Sequence, residues 1–328
     1  MVGFFKSNNP FNIILLLVYA FILKLYSFAH PHIPVAQATD GFLYHRLLDF
    51  LAPTGKSSPV IYPIITFILV FTQAITFNGL INNQRLLTRP TYLPAMAYIL
   101  ITSLFPEWWQ MSSTLIINTL LVWVWAMMGG LYNQSKPKSV LFNIGIIIGL
   151  CSFLYFPSIA FVVLVIFGLV VMRPLRFSEW LVAFLGITAP YYFLLAYIYF
   201  SNHWNPRAFI PGISISYPKF QQSIWAWGSL TCLIVPFLIA GFYIQRNMLR
   251  MLIQIRKSWS LMLLYLLTAL LIPFINASST FEYWILSAMP LAAFHASAYF
   301  YPSRRWLPLL IHWGLFAFAM MLQWGPQG

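Results

Sequence analysis

The chain alternates long apolar runs with short polar breaks. Apolar stretches of about 20 residues recur from end to end, each long enough to cross a bilayer core. They predict eleven helical spans: 10–28, 61–80, 91–104, 113–131, two short spans within 140–172, then 179–200, 224–243, 258–275, 285–299 and 306–323. The run 140–172 is too long for one helix, and Pro157 in FLYFPS predicts a break inside it. The first run lacks a small-residue cleavage site and leads into further spans, so a retained helix is expected rather than a signal peptide. The runs are too long and too uniformly apolar for the alternating strands of a β-barrel. The expected fold is therefore all-α, a single polytopic membrane domain over residues 1–328, interrupted by two long polar loops at 30–60 and 201–222.

Composition agrees. The chain is 61% hydrophobic and 7% charged, where a soluble domain carries about 25% charged residues. A net charge of +13 would suggest nucleic acid in a soluble protein, but in this setting lysine and arginine mark the cytoplasmic side of a membrane. No nucleic-acid partner is expected. The two cysteines, Cys151 and Cys232, fall inside apolar runs and imply neither a disulfide nor a cysteine metal site.

The charges also orient the chain. With the N-terminus inside, Lys6, Arg85, Arg89, Lys136, Lys138, Arg173, Arg176, Arg246, Arg250, Arg256, Lys257, Arg304 and Arg305 fall inside. Outside fall Arg46, Lys56, Arg207 and Lys219, while Lys24 sits near the far end of the first span and can snorkel to the interface. This bias predicts an N-in, C-out topology, and it needs the break at Pro157. The acids partition the other way. Asp40, Asp49, Glu107 and Glu282 lie at the outer face, and Glu179 lies inside next to Arg176, where a surface pair or a helix N-terminal position explains it.

Candidate chemistry gathers in the outer loops. Residues 40–51 predict an amphipathic surface helix, with Leu43, Leu47, Phe50 and Leu51 as its apolar positions and His45, Arg46 and Asp49 on its polar stripe. Asp40 is either the cap of that helix or a functional acid. Asp49 lies roughly 13 Å further along the helix, too far to form a carboxylate dyad with it. Glu107, in FPEWWQ, is either a solvated acid within an interfacial tryptophan pair or a second acid facing Asp40 across a cavity. Two such acids can share a divalent metal, or one can act as base while the other orients it. Arg207 and Lys219 can bind a phosphate or lipid headgroups. His30 and His32, spaced H-x-H, can ligate a metal. His295 and His312 lie in spans and are expected to be packing or hydrogen-bonded residues. No nucleotide-binding or soluble-hydrolase motif is present.

The order of elements resembles the GT-C superfamily of membrane glycosyltransferases. ATDGFLYHRLLDF resembles the first outer loop of that superfamily, with Asp40 in the place of its acid, and Glu107 stands where a second acid often lies. LFNIGIIIGLCSFLYFPSIAFVVLVIFGLVVMRPLR resembles its glycine-rich hairpin. FEYWILSAMPLAAFHASAYF resembles a late helix, with Glu282 where an arginine is usual. The opening FFKSNNPFNIILLL also resembles an uncharacterised family of Gram-negative integral membrane proteins. The GT-C resemblance implies transfer of a sugar from a polyprenyl-phosphate donor to an acceptor at the periplasmic face of the bacterial inner membrane, with inversion. Asp40 would be the base, and Glu107 an orienting group or, with Asp40, a ligand to Mg or Mn. His45, Arg46, Trp108, Arg207 and Lys219 would contact substrate, and the lipid tail would lie in a groove between helices. The competing expectations are a non-catalytic subunit or scaffold of an envelope assembly, which predicts no cavity, and a transporter of lipid substrates.

Overall fold

A computed structural model describes residues 2–132, 134–174, 176–201, 212, 214–218, 223–304 and 306–325. The described residues are all-helical. In chain order the helices are α1 Val2–Phe5, α2 Asn12–Ala29, α3 Phe42–Ser57, α4 Ile61–Asn83, α5 Leu93–Ile101, α6 Ser113–Gly129 and α7 Lys138–Leu154. They continue with α8 Val162–Met172, α9 Phe177–Phe200, α10 Ile224–Met248, α11 Ile253–Leu271, α12 Ala288–Phe300 and α13 Trp306–Trp324. Each predicted span thus corresponds to a helix. Six segments are long and apolar enough to cross a membrane by themselves: α2, α4, α9, α10, α13, and α11 with its extension to Phe274. The others are shorter. The nine residues of α5 rise only about 13 Å.

The break near Pro157 has a structural consequence beyond span counting. α7 ends at Leu154, Tyr155 is extended (φ −147°, ψ 108°), and a 3-10 turn, Phe156–Phe161, precedes α8. The end of a helix leaves carbonyls without intrahelical donors. Here the Leu154 carbonyl accepts the Gly41 amide at 2.7 Å, and Asp40 pairs with Tyr155 in an antiparallel bridge. Gly41 has no room for a side chain, because a Cβ there would lie 2.1 Å from the Phe153 carbonyl oxygen. The helix break is thus the dock for the loop that carries Asp40.

α7 and α9 pack with their backbones in contact. A Cβ on Gly145 would lie 2.4 Å from the Ala183 carbonyl oxygen, and one on Gly186 would lie 2.3 Å from that of Phe142. Gly145 and Gly149 form the small-xxx-small pattern that permits such an approach between apolar helices.

Two local expectations are corrected and a third is extended. α3 starts at Phe42 with Gly41 as its N-cap, so Asp40 does not cap it. Lys24 does not snorkel. It is 2% exposed, and its Nζ donates to the Thr102 carbonyl at 2.6 Å, where the short α5 ends and leaves carbonyls needing donors. Glu179 stands in the first turn of α9 and pairs with Arg176 at 3.9 Å, as expected, and it also pairs more closely with Arg173, at 2.8 and 3.1 Å. Arg173 also donates to the carbonyls of Leu131 and Gln134, tying the connection after α6 to the start of α9. The two histidines in the helices are packed as expected: His295 contacts the Leu233 carbonyl at 3.0 Å, and His312 stacks on Tyr19.

Candidate functional site

Four separate stretches meet around Asp40, which is 6% exposed. Its Oδ2 accepts the backbone N–H of Gln37 at 2.8 Å. Its Oδ1 accepts the hydroxyl of Ser113, the first residue of α6, at 2.5 Å, and that of Tyr283 at 3.4 Å. The Thr39 hydroxyl lies 2.6 Å from that of Tyr283, and the Tyr283 ring stacks on Tyr155 with centroids 4.3 Å apart. Burial pushes the Asp40 carboxyl above its ordinary range, while hydrogen bonds from Ser113 and Gln37, the charge of His45 and the Tyr283 bond hold it back. Both carboxylate oxygens are therefore engaged by the protein, and the side chain joins loop, α6 and the turn before α12.

Glu282 opens that turn, a 3-10 segment over Glu282–Ser287. Its carboxyl is pushed up to about 8, first by burial and then by the charges of Asp40 and Glu107. Near neutral pH it is largely protonated. The phenols of Tyr44, Tyr155 and Tyr283 are likewise raised by burial and then by Asp40 and Glu282 together. Three of the chain's five acids thus share one electrostatic neighbourhood, which we call the acidic end.

Glu107 lies in the 3-10 turn Pro106–Trp109. The tryptophans beside it are anchors, not an interfacial belt: Trp108 and Trp109 are buried, and their indole N–H groups donate to the carbonyls of Phe281 at 2.9 Å and Ser103 at 3.0 Å. Trp108 therefore offers no face to a substrate. So keyed, the turn leaves the Oε2 of Glu107 buried without a hydrogen-bond partner among the described residues. Glu107 lines a cavity of about 530 Å³ together with Phe105, Ser223, Trp225, Ser229, Ser279, Thr280 and Phe281.

The remaining expectations divide. His45 and Arg46 are exposed on α3, His45 within electrostatic reach of Asp40. Arg207 and Lys219 lie outside the described residues. A metal between Asp40 and Glu107 would have to be held by these two acids, without a third such side chain among the described residues. Asp40 Oδ2 accepts one hydrogen bond and Oδ1 two. Sequence reasoning did not include Glu282, Ser113 or Tyr283 in the site. The grouping of Glu282 with the other outer acids was the available signal for it.

These features define an all-helical protein with several membrane-length apolar helices and a cluster of three acids, Asp40 buried and Glu107 and Glu282 half-buried, a pattern compatible with a multi-pass membrane protein. The chain belongs to a family of unknown function, DUF6427, whose model matches residues 41–324. That match begins directly after Asp40 and includes Glu107 and Glu282. No curated protein matches the chain, and no solved structure does.

Proposed function

We propose that this protein is a GT-C-like membrane glycosyltransferase of eleven spans, N-in and C-out. It moves a sugar from a polyprenyl-phosphate donor to an acceptor hydroxyl at the periplasmic face of a bacterial inner membrane. The observation that carries this reading is Glu107 itself, which lines a cavity together with the hydroxyl side chains of Ser223, Ser229, Ser279 and Thr280, next to the turn that Glu282 opens. A cavity at the acidic end also favours an enzyme over a scaffold, for which none is required.

In this mechanism Glu107 is the base. It takes the proton of the acceptor hydroxyl as that oxygen attacks the anomeric carbon of the donor. The bond from the anomeric carbon to the lipid phosphate breaks, and the phosphate leaves with the electron pair. Protonated, Glu282 can donate a hydrogen bond to an anionic phosphate instead of repelling it. Asp40 positions the loop, α6 and the turn bearing Glu282. Arg207 and Lys219 are retained as phosphate contacts on sequence grounds. No step requires a metal.

A route for the lipid tail supports the donor class. Two depressions lie along α7. One, of about 630 Å³, is lined by Thr76, Leu80, Trp123, Asn143 and Ile146. The other, of about 380 Å³, is lined by Ile146, Leu150, Phe153, Pro190 and Phe193. They share Ile146 and extend roughly 15 Å from Asn143 to Phe153, whose carbonyl abuts Gly41. The groove thus ends at the loop carrying Asp40.

The test is turnover of undecaprenyl-phosphate-linked glucose, mannose and N-acetylglucosamine by the protein in liposomes, followed as release of undecaprenyl phosphate. Release from at least one donor is expected. Release indistinguishable from protein-free liposomes with every donor, in the presence of a cell-envelope extract as acceptor source, would reject the reading.

A further inference from the structure

Glu107 lies in the connection between α5 and α6, and side chains of α2, α3 and α10 hold that connection by its carbonyls. Lys24 donates to the Thr102 carbonyl at 2.6 Å, Ser229 to that of Leu104 at 2.5 Å, and Tyr44 to that of Met111 at 3.0 Å. The Ser27 hydroxyl reaches the Trp109 carbonyl at 3.5 Å. Lys24 and Ser27 are three residues apart on α2, so they stand on one face of that helix. They touch the two ends of the stretch 102–109, in which Glu107 lies. We propose that Lys24 is a positioning residue, which fixes where α5 stops and thereby aims Glu107 into its cavity. Its effect on sugar transfer rests on the glycosyltransferase reading, whereas its hold on the turn does not.

The cost of the residue argues for a role beyond packing. α2 is one of the apolar helices of membrane length, and Lys24 is buried within it. Among the described residues no Asp or Glu forms an ion pair with it. A lysine inside an apolar span is expensive, and its position marks a functional site with the partner it faces. An apolar side chain would fill the same space at less cost.

The partner is the carboxyl end of α5. All nine residues of that helix are buried. The last carbonyls of a helix lack intrahelical donors, and its dipole favours a basic group there. Beyond Thr102 the backbone is irregular up to Ser113, apart from the 3-10 turn bearing Glu107. Irregular backbone among membrane helices needs hydrogen bonds from the surrounding protein, and Lys24 supplies one of them. Lys6 makes the same kind of bond, to the Phe300 carbonyl at the end of α12 at 2.8 Å, but it is exposed and the chain that follows Phe300 carries no proposed reacting group.

The experiment compares wild type, Lys24→Met and Lys6→Met as full chains in liposomes. The readouts are undecaprenyl-phosphate release, thermal midpoint and hydrogen–deuterium exchange over 102–111, where the amides of Thr102, Ser103, Leu104 and Trp108 are hydrogen-bonded. Lys24→Met should lower kcat about 10²-fold, the scale of a misplaced reacting group, with KM for the lipid-linked donor unchanged. It should raise exchange over 102–111 about tenfold. Its midpoint should equal or exceed that of wild type, because an unpaired lysine leaves an apolar site. Lys6→Met should alter neither rate nor exchange in that segment. A midpoint that falls in step with the rate would make Lys24 a fold-stabilising cap and overturn the proposal, as would unchanged exchange over 102–111 or an unchanged rate in a variant of an active protein. If wild type releases nothing while Lys24→Met still exchanges faster over 102–111, the glycosyltransferase reading falls and the hold of Lys24 on the turn stands. If exchange is also unchanged, both fall.

Discussion

The Ser113 hydroxyl donates to Oδ1 of Asp40 at 2.5 Å, joining the loop after α2 to the first turn of α6. A hydrogen bond to a buried carboxylate contributes about 1.5–3 kcal/mol. Ser113→Ala should therefore lower stability by that order, while Ser113→Thr, which keeps the hydroxyl, should cost less. Thermal unfolding in detergent measures both. Equal midpoints for wild type and Ser113→Ala would show that the bond does not hold the loop.

The Glu282 carboxyl gives stability a pH signature. Its folded value, about 8, stands above its ordinary value of 4.5, so the folded protein retains a proton that the unfolded chain releases. The stabilisation is complete below about 4.5 and is lost as pH rises through about 8. Wild-type melting temperature should fall between pH 6 and 9 more steeply than that of Glu282→Gln, which carries no proton to lose. Parallel curves would remove Glu282 from the cluster.

Gly41 tests the dock at the helix break. A methyl at this position would overlap the Phe153 carbonyl oxygen and displace the amide that satisfies Leu154. Gly41→Ala should reduce both melting temperature and sugar transfer, although Gly41 touches no proposed reacting atom. Gly241 in α10 is the control. A Cβ there meets nothing within 4 Å, so Gly241→Ala should be neutral or stabilising by about 0.5–1 kcal/mol.

The close approach of α7 and α9 predicts sensitivity at Gly186. A side chain there must push α9 away from the Phe142 carbonyl, and apolar helices in lipid associate largely through such packing. Gly186→Leu should reduce the yield of folded, monodisperse protein sharply, whereas Gly314→Leu, on α13 with nothing within 4 Å of its Cβ position, should not. Size-exclusion chromatography distinguishes the two.

The helices were legible because apolar run length and proline position are local properties. The break at Pro157 was read correctly and proved to be the anchor for Asp40. The partners of Asp40 were not legible. Its local pattern offered a helix cap or a functional acid; the cap is excluded, and its hydrogen-bonding side chains come from Ser113 and Tyr283, far along the chain and on different elements. Lys24 was misplaced for a related reason: the carbonyl that holds it is exposed by the early end of α5, and hydropathy alone does not set where a buried helix stops. Trp108 and Trp109 had the composition of an interfacial belt, and only their partners Phe281 and Ser103 identify them as the supports of Glu107.

The most direct measurement is the rate of undecaprenyl-phosphate release by Glu107→Gln against wild type, at equal amounts of folded protein in liposomes. If Glu107 is the base, the variant should lose about 10²–10⁴-fold in rate while its melting temperature stays within experimental error of wild type, because its Oε2 makes no hydrogen bond among the described residues. A wild-type rate in the folded variant would contradict the central claim.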